Sequence, residues 1–358
     1  MKHFWGKIVY QKEPERIINI MFINKTPNFN LLINKSCFVL AILMFTIFNI
    51  QGQAVPSEEE NIPYLVTFGN KAETSWGDND FSQVFFFLVP ETYKGMVFIR
   101  VFDPDVGGKH DELNGVWNTK TRYSVYGGKD AYLHPDNMEV NPKKNFKRGT
   151  QLATRIFGNE PQWDDKWFTF GPFSPTAGEY DPKYGCYVFK VVCEGIEGDD
   201  GNMYRYFMST SGTANIPIEG GNAFAYEYTF RLHDNPKEVS HIYPYVENES
   251  IKIKQMNFDW DDDGIIRVTS EVRREEKCDV SGDNVWVESE FTVRDGEKGK
   301  SLDFQFIKSP KGVKNNNVVI YIRNQNGENL KFYSSPIGGV PKYKYGIETQ
   351  KKTPATKK

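Results

Sequence analysis

The chain has 358 residues, with 44 basic and 47 acidic side chains and a formal net charge of −3. This acidic balance argues against nucleic acid or an anionic membrane surface as a partner, since both are bound through clustered Lys and Arg. No Gly-x-Ser-x-Gly elbow, His-Glu-x-x-His, P-loop or Cys-x-x-Cys pair occurs, so the common nucleophile, zinc, nucleotide and dithiol chemistries leave no signature.

At the N-terminus, Lys35 precedes an uncharged apolar run, Cys37 to Ile50, followed by Gly52-Gln53-Ala54. Small residues three and one before a cleavage point complete the layout of a secretory signal peptide. The run is about 14 residues long, whereas a spanning helix needs roughly 20, so no membrane span is expected in the mature chain. Residues 1–54 are read as this leader, cleaved after Ala54, with Met21 as an alternative start that gives a basic leader of ordinary length. Cys37 opens the run instead of closing it, so the lipoprotein arrangement is not met. The expectation is an exported protein, in the periplasm, on the cell surface or secreted.

Cleavage there leaves 38 basic against 45 acidic residues, a net charge of about −7, and three cysteines. Cys186 and Cys193 flank one strand-like run, "CYVFKVVC", and seven residues of strand reach roughly 23 Å, far beyond a disulfide. Three buried thiols are expected, with one bridge to Cys278 as the alternative.

Beyond the leader, helical periodicity is nearly absent. Strand-like runs recur between Gly, Pro, Asn and Asp clusters, among them "SQVFFFLVP", "MVFIRVFD", "CYVFKVVC", "IKIKQMNF", "GIIRVTSEV" and "NVVIYIRN". This predicts an all-β fold of two β-sandwich domains, jelly-roll or immunoglobulin-like, and the aromatic content of 15% suits cores packed on pleated surfaces. A polar, proline-bearing stretch at 232–240 is the natural seam, placing one domain at 62–234 and a second at 241–340. The tail 346–358 lacks apolar periodicity and is expected to be disordered.

In the first domain, "WGDNDFSQVFFFLVP" brings Asp78 and Asp80 to the start of a strand, and "MVFIRVFDPDVGGKHDE" ends the next in Asp103 and Asp105. A hairpin turn at "ETYKG" would set Asp80 opposite Asp105 and gather four carboxylates at one end. Like charges so placed repel, and a hard cation bound by oxygens, calcium above all, relieves them. Asp111 and Glu112 are candidates to complete the shell. The alternative is solvated turn residues, since Asp and Gly are ordinary turn chemistry.

The stretch "VFFFLVPETYKGMVFIRVFDPDVGG", followed later by "AGEYDPKYGCYVFKVV", resembles the jelly-roll modules of secreted bacterial proteins of the pre-peptidase C-terminal type. The shared features are a strand ending in Pro, a short polar turn, a strand ending in Asp and a late Ala-Gly-x-Tyr. The resemblance implies an accessory, non-catalytic module, of a kind that calcium often stabilises.

Trp163 and Trp167 in "PQWDDKWFTF" are the candidate platform for a sugar ring, because aromatic faces stack on apolar ring faces. Further along, "FDWDDDGIIRV" reads Asp259-x-Asp261-x-Asp263-Gly264, the first half of a calcium loop, but position 12 is Ser270 where a bidentate Glu is needed. Its flanks alternate as strands, so a tight hairpin turn is the favoured reading and a bound ion the other. The functional expectation is a non-enzymatic accessory or structural binding protein, calcium-stabilised, with a glycan or an envelope protein as partner. The rival is a secreted carbohydrate-active enzyme, which would need two carboxylates facing each other across a cleft.

Overall fold

The computed structural model describes residues 53–140, 146–314 and 316–341. Among them the chain is all-β, with short 3-10 turns and no α-helix. In chain order the strands begin with β1 (Ala54–Val55), β2 (Tyr64–Phe68), β3 (Ser82–Pro90), β4 (Val97–Phe102), β5 (Lys120–Gly127), β6 (Thr150–Phe157) and β7 (Trp167–Phe173). They continue with β8 (Glu179–Asp181), β9 (Cys186–Glu197), β10 (Gly201–Ser209), β11 (Asn222–Ala225), β12 (Glu227–Arg231), β13 (Val239–Ile242) and β14 (Tyr245–Val246). The last are β15 (Lys252–Phe258), β16 (Gly264–Thr269), β17 (Glu276–Cys278), β18 (Trp286–Thr292), β19 (Lys300–Ser301), β20 (Asp303–Lys308), β21 (Asn317–Asn324) and β22 (Phe332–Tyr333).

A large sheet runs β18-β15-β21-β12-β2-β10-β4-β7, with β1 added to β10. A second runs β22-β11-β3-β9-β5-β6 with β8 on β9, a third β13-β20-β16-β17, and β14 pairs with β19. The period-2 alternation decides what each face buries. On β3, Phe85, Phe87 and Val89 enter the main core, which Val97, Ile99 and Val101 of β4 and Tyr204 and Tyr206 of β10 enter from the large sheet. The two sheets therefore close on each other as a sandwich. At the other end of the large sheet, Ile253 and Phe291 join the same core with Ile266, Val268, Phe304 and Phe306 of the third sheet.

The seam at 232–240 does not separate two domains. β12, before it, pairs with β21, after it, from Glu227↔Tyr321 to Arg231↔Asn317, so the large sheet passes through the boundary. The polar stretch is a loop carrying the chain from one sheet to another, and all described residues lie in the compact unit that starts at residue 50.

Two expected hairpins are also corrected. β3 pairs with β9 and β11, while β4 pairs with β7 and β10, so "ETYKG" bridges the two layers instead of closing a hairpin. Asp80 is consequently not opposite Asp105. Likewise β15 pairs with β18 and β21, whereas β16 pairs with β17 and β20. The "DWDDDG" loop crosses between layers, and its positive φ values fall on Asp259, Asp261 and Asp262, not on Gly264. Trp260 is fully buried in this crossing, its ring 5.5 Å from Phe306, and so the loop is anchored in the core.

The expected leader lies outside the described residues except for Gln53 and Ala54, and the expected disordered tail lies outside them altogether. Cys186, Cys193 and Cys278 are free and buried. Among the described residues no helix is long and apolar enough to cross a membrane.

Candidate functional site

The acidic residues gather where β4 ends and β7 begins. Phe102 pairs with Trp167, and one step further Asp103 N–H donates to the Lys166 carbonyl at 2.8 Å. The loop 103–111 lies against the loop 158–166, joined by Val106 N–H to the Gly158 carbonyl at 2.9 Å. Asp103 accepts from Asp165 N–H at 2.9 Å through Oδ1, and Asp105 accepts from Glu160 N–H at 3.0 Å through Oδ2. The left-handed turn at Gly108, φ +71°, lets Asp164 come close, since a Cβ there would stand 3.1 Å from the Asp164 carboxyl carbon. Carboxylate oxygens of Asp103, Asp105 and Asp164 then lie within 4.8 Å of one another. Burial raises the Asp105 carboxyl to about 7, helped by Asp164 and Asp103, and burial raises Asp103 to about 6.

A second group shares Asp103, with His110 and Asp165. Here the polar atoms are partnered: His110 Nε2 sits 2.9 Å from Asp165 Oδ1 and 3.2 Å from the Tyr64 hydroxyl, and Lys109 pairs with Asp165 Oδ2 at 2.9 Å.

Asp78 and Asp80 do not join these groups. Asp78 is buried and accepts from the N–H groups of Phe68 at 2.8 Å, Phe81 at 2.8 Å and Asp80 at 3.3 Å, which fixes the loop entering β3. Asp80 accepts from Ser82 N–H at 3.0 Å. Their acidic neighbour is Glu227, whose carboxyl is pushed well up by burial and then by Asp80 and Asp78.

Asp111 and Glu112 are also committed elsewhere. Asp111 accepts from Gly107 N–H and Met203 N–H, both at 2.7 Å, and Glu112 pairs with Arg231. They brace the loop to β10 and do not complete a shell. In the other loop, Asp259 and Asp261 converge with Asp283, which is exposed. Asp263 turns away, accepting from Asn316 Nδ2 at 3.3 Å.

The two tryptophans of the expected platform part company. Trp163 packs edge-on against Phe157 and Phe168 at the border of the core, at interplanar angles of 86° and 82°. Trp167 lies on the opposite face, because residues 167 and 169 of β7 alternate with the inward Phe168 and Phe170.

On that outer face Trp167 belongs to a row running across the strands. Arg205 of β10 pairs with Phe102 of β4, which pairs with Trp167 of β7. On the other side, the Arg205 guanidinium sits 4.3 Å over the ring of Tyr64, on β2. Phe102 and Trp167 lie 5.4 Å apart, and the Arg100 guanidinium is 5.1 Å from the Trp167 ring. Four adjacent strands at about 4.8 Å spacing give the row a length of roughly 14 Å. All four side chains are half-buried, and the Tyr64 end meets His110 of the acidic loop.

Asp103, Asp105 and Trp167, which the sequence singles out in two separate groups, come together in this region. Asp164 was visible only as a neighbour of the tryptophans, and Tyr64, Phe102 and Arg205 only as strand residues. Their alternation was legible, but not the strand order that aligns them. No model of a known protein family matches this sequence, and no curated protein matches it significantly.

Proposed function

We propose that this is a non-enzymatic accessory binding protein of the exported, envelope-associated kind, which holds a saccharide on the outer face of its large sheet. The observation that carries the reading is the row Tyr64, Arg205, Phe102 and Trp167 across β2, β10, β4 and β7. Aromatic faces supply apolar area for the C–H faces of sugar rings. The guanidinium N–H groups of Arg205, with His110 and Asp165 at the end of the row, supply hydrogen bonding at its margins. A row of roughly 14 Å suits an extended chain of a few sugar units lying across the strands. The leader-like N-terminus supports export.

The reading is tested by affinity electrophoresis and pull-down on a panel of insoluble and soluble polysaccharides. The native protein is expected to be retained by at least one of them. Trp167→Ala should weaken retention roughly threefold to tenfold, the range for losing an aromatic stacking contact. Trp286→Ala, on β18 at the far edge of the large sheet, should leave it unchanged. Retention indifferent to Trp167 and Phe102 would refute the assignment of this face.

A further inference from the structure

Asp105 is 1% exposed, its Oδ2 holds Glu160 N–H, and its Oδ1 is sealed from solvent with no hydrogen-bond partner among the described residues. Asp164 presents a second sealed, unpartnered oxygen, Oδ1. Both belong to the group in which the carboxylate oxygens of Asp103, Asp105 and Asp164 stand within 4.8 Å of one another. No lysine or arginine pairs with any of the three among the described residues. Burying acceptor oxygens without a donor is costly, and burying carboxylates without a cation more so.

The geometry points to a structural calcium ion held by Asp103, Asp105 and Asp164 between the 103–111 and 158–166 loops. Calcium oxygens lie at 2.3–2.6 Å from the ion, so two ligands of one ion stand at most about 5 Å apart, and the observed spread fits. The donor set is all carboxylate, with neither sulfur nor imidazole, which selects a hard cation over zinc or copper. Three converging carboxylates in irregular loops suit calcium's flexible shell better than the octahedron magnesium demands. The neighbouring group of Asp103, His110 and Asp165 is the weaker claimant, because His110 and Asp165 already satisfy each other and Lys109. The group at Asp259, Asp261 and Asp283 has no sealed, unpartnered carboxylate oxygen.

This assignment stands apart from the saccharide reading, although Asp103 follows Phe102 directly and the same loops flank Trp167. Its test uses the metal alone. After treatment with a chelator, the full protein is titrated with calcium chloride and its Tm followed by calorimetry. A ligand that binds only the folded state should raise Tm by about 5 °C at a hundredfold excess over its Kd. Asp164→Asn should abolish the rise while leaving the chelated Tm nearly unchanged, because the Asp164 side chain holds no backbone group. Asp105→Asn should abolish it too, at some cost in basal Tm, and Asp261→Asn should retain it. A native Tm indifferent to calcium, an equal rise with magnesium, or a rise that survives Asp164→Asn would each overturn the assignment.

Discussion

Glu60 has no exposed surface and one partnered carboxylate oxygen, Oε2, which takes Ser57 N–H at 2.6 Å. Burial raises its carboxyl to about 8, so in the folded chain it keeps its proton across the range where the unfolded chain has lost it. The folded state therefore binds more protons between about pH 4.5 and 8, and stability falls as pH rises through that window. Glu60→Gln keeps the shape and removes the titration. We expect chemical denaturation to show the variant losing less stability than the native protein between pH 5 and 8, by on the order of a few kcal/mol. An identical pH dependence in both would remove Glu60 from the explanation. At this scale the sequence was partly legible. An Asp at a strand end is visible as such, which is how Asp103 and Asp105 stood out. Whether both its oxygens are taken by backbone N–H groups, as at Asp78, or one is left among other carboxylates, as at Asp105, depends on loops that meet only in the fold.

Among the elements, β1 has only two residues yet is the most exacting. Ala54 and Val55 pair with Phe207 and Tyr206 of β10, and Gln53 is buried just ahead of them. The Gln53 carboxamide accepts from Ile218 N–H at 2.6 Å and donates to the Ile218 carbonyl, and its own carbonyl takes Met208 N–H at 3.0 Å. A chain beginning at Val55, as the leader reading expects, would lose these bonds and leave buried backbone groups of Ile218 and Met208 without partners. Each such loss costs about 1–3 kcal/mol. A protein starting at Gln53 should therefore unfold at higher denaturant than one starting at Val55. Equal midpoints would mean that water replaces the clamp. Strands were readable one by one, since alternation is a local property, yet their partners were not. β3 and β4 look like a hairpin in sequence, but β3 finds a longer match in β9, nine consecutive pairs from Ser82↔Glu194 to Pro90↔Cys186. The same holds at Trp260, where a turn-like loop carries a core side chain that no turn signal announces.

For the whole molecule, the large sheet is the feature that joins everything. It runs from β18 to β7 through strands on both sides of the polar stretch at 232–240, and its inner face meets two other sheets. The composition shift that looked like a domain boundary is a surface loop, polar because it crosses between layers in solvent. The fold thus leaves one end of the large sheet, β2-β10-β4-β7, with an aromatic and arginine row on its outer face and the acidic loops beside it. Binding without turnover is the central claim, and one incubation measures both halves of it. The protein is held with each polysaccharide of the panel, and bound protein and newly released reducing ends are determined together. The prediction is retention that depends on Trp167, with no reducing ends above the protein-free control. Release of reducing ends that one carboxylate substitution abolishes would contradict it and make the protein a carbohydrate-active enzyme.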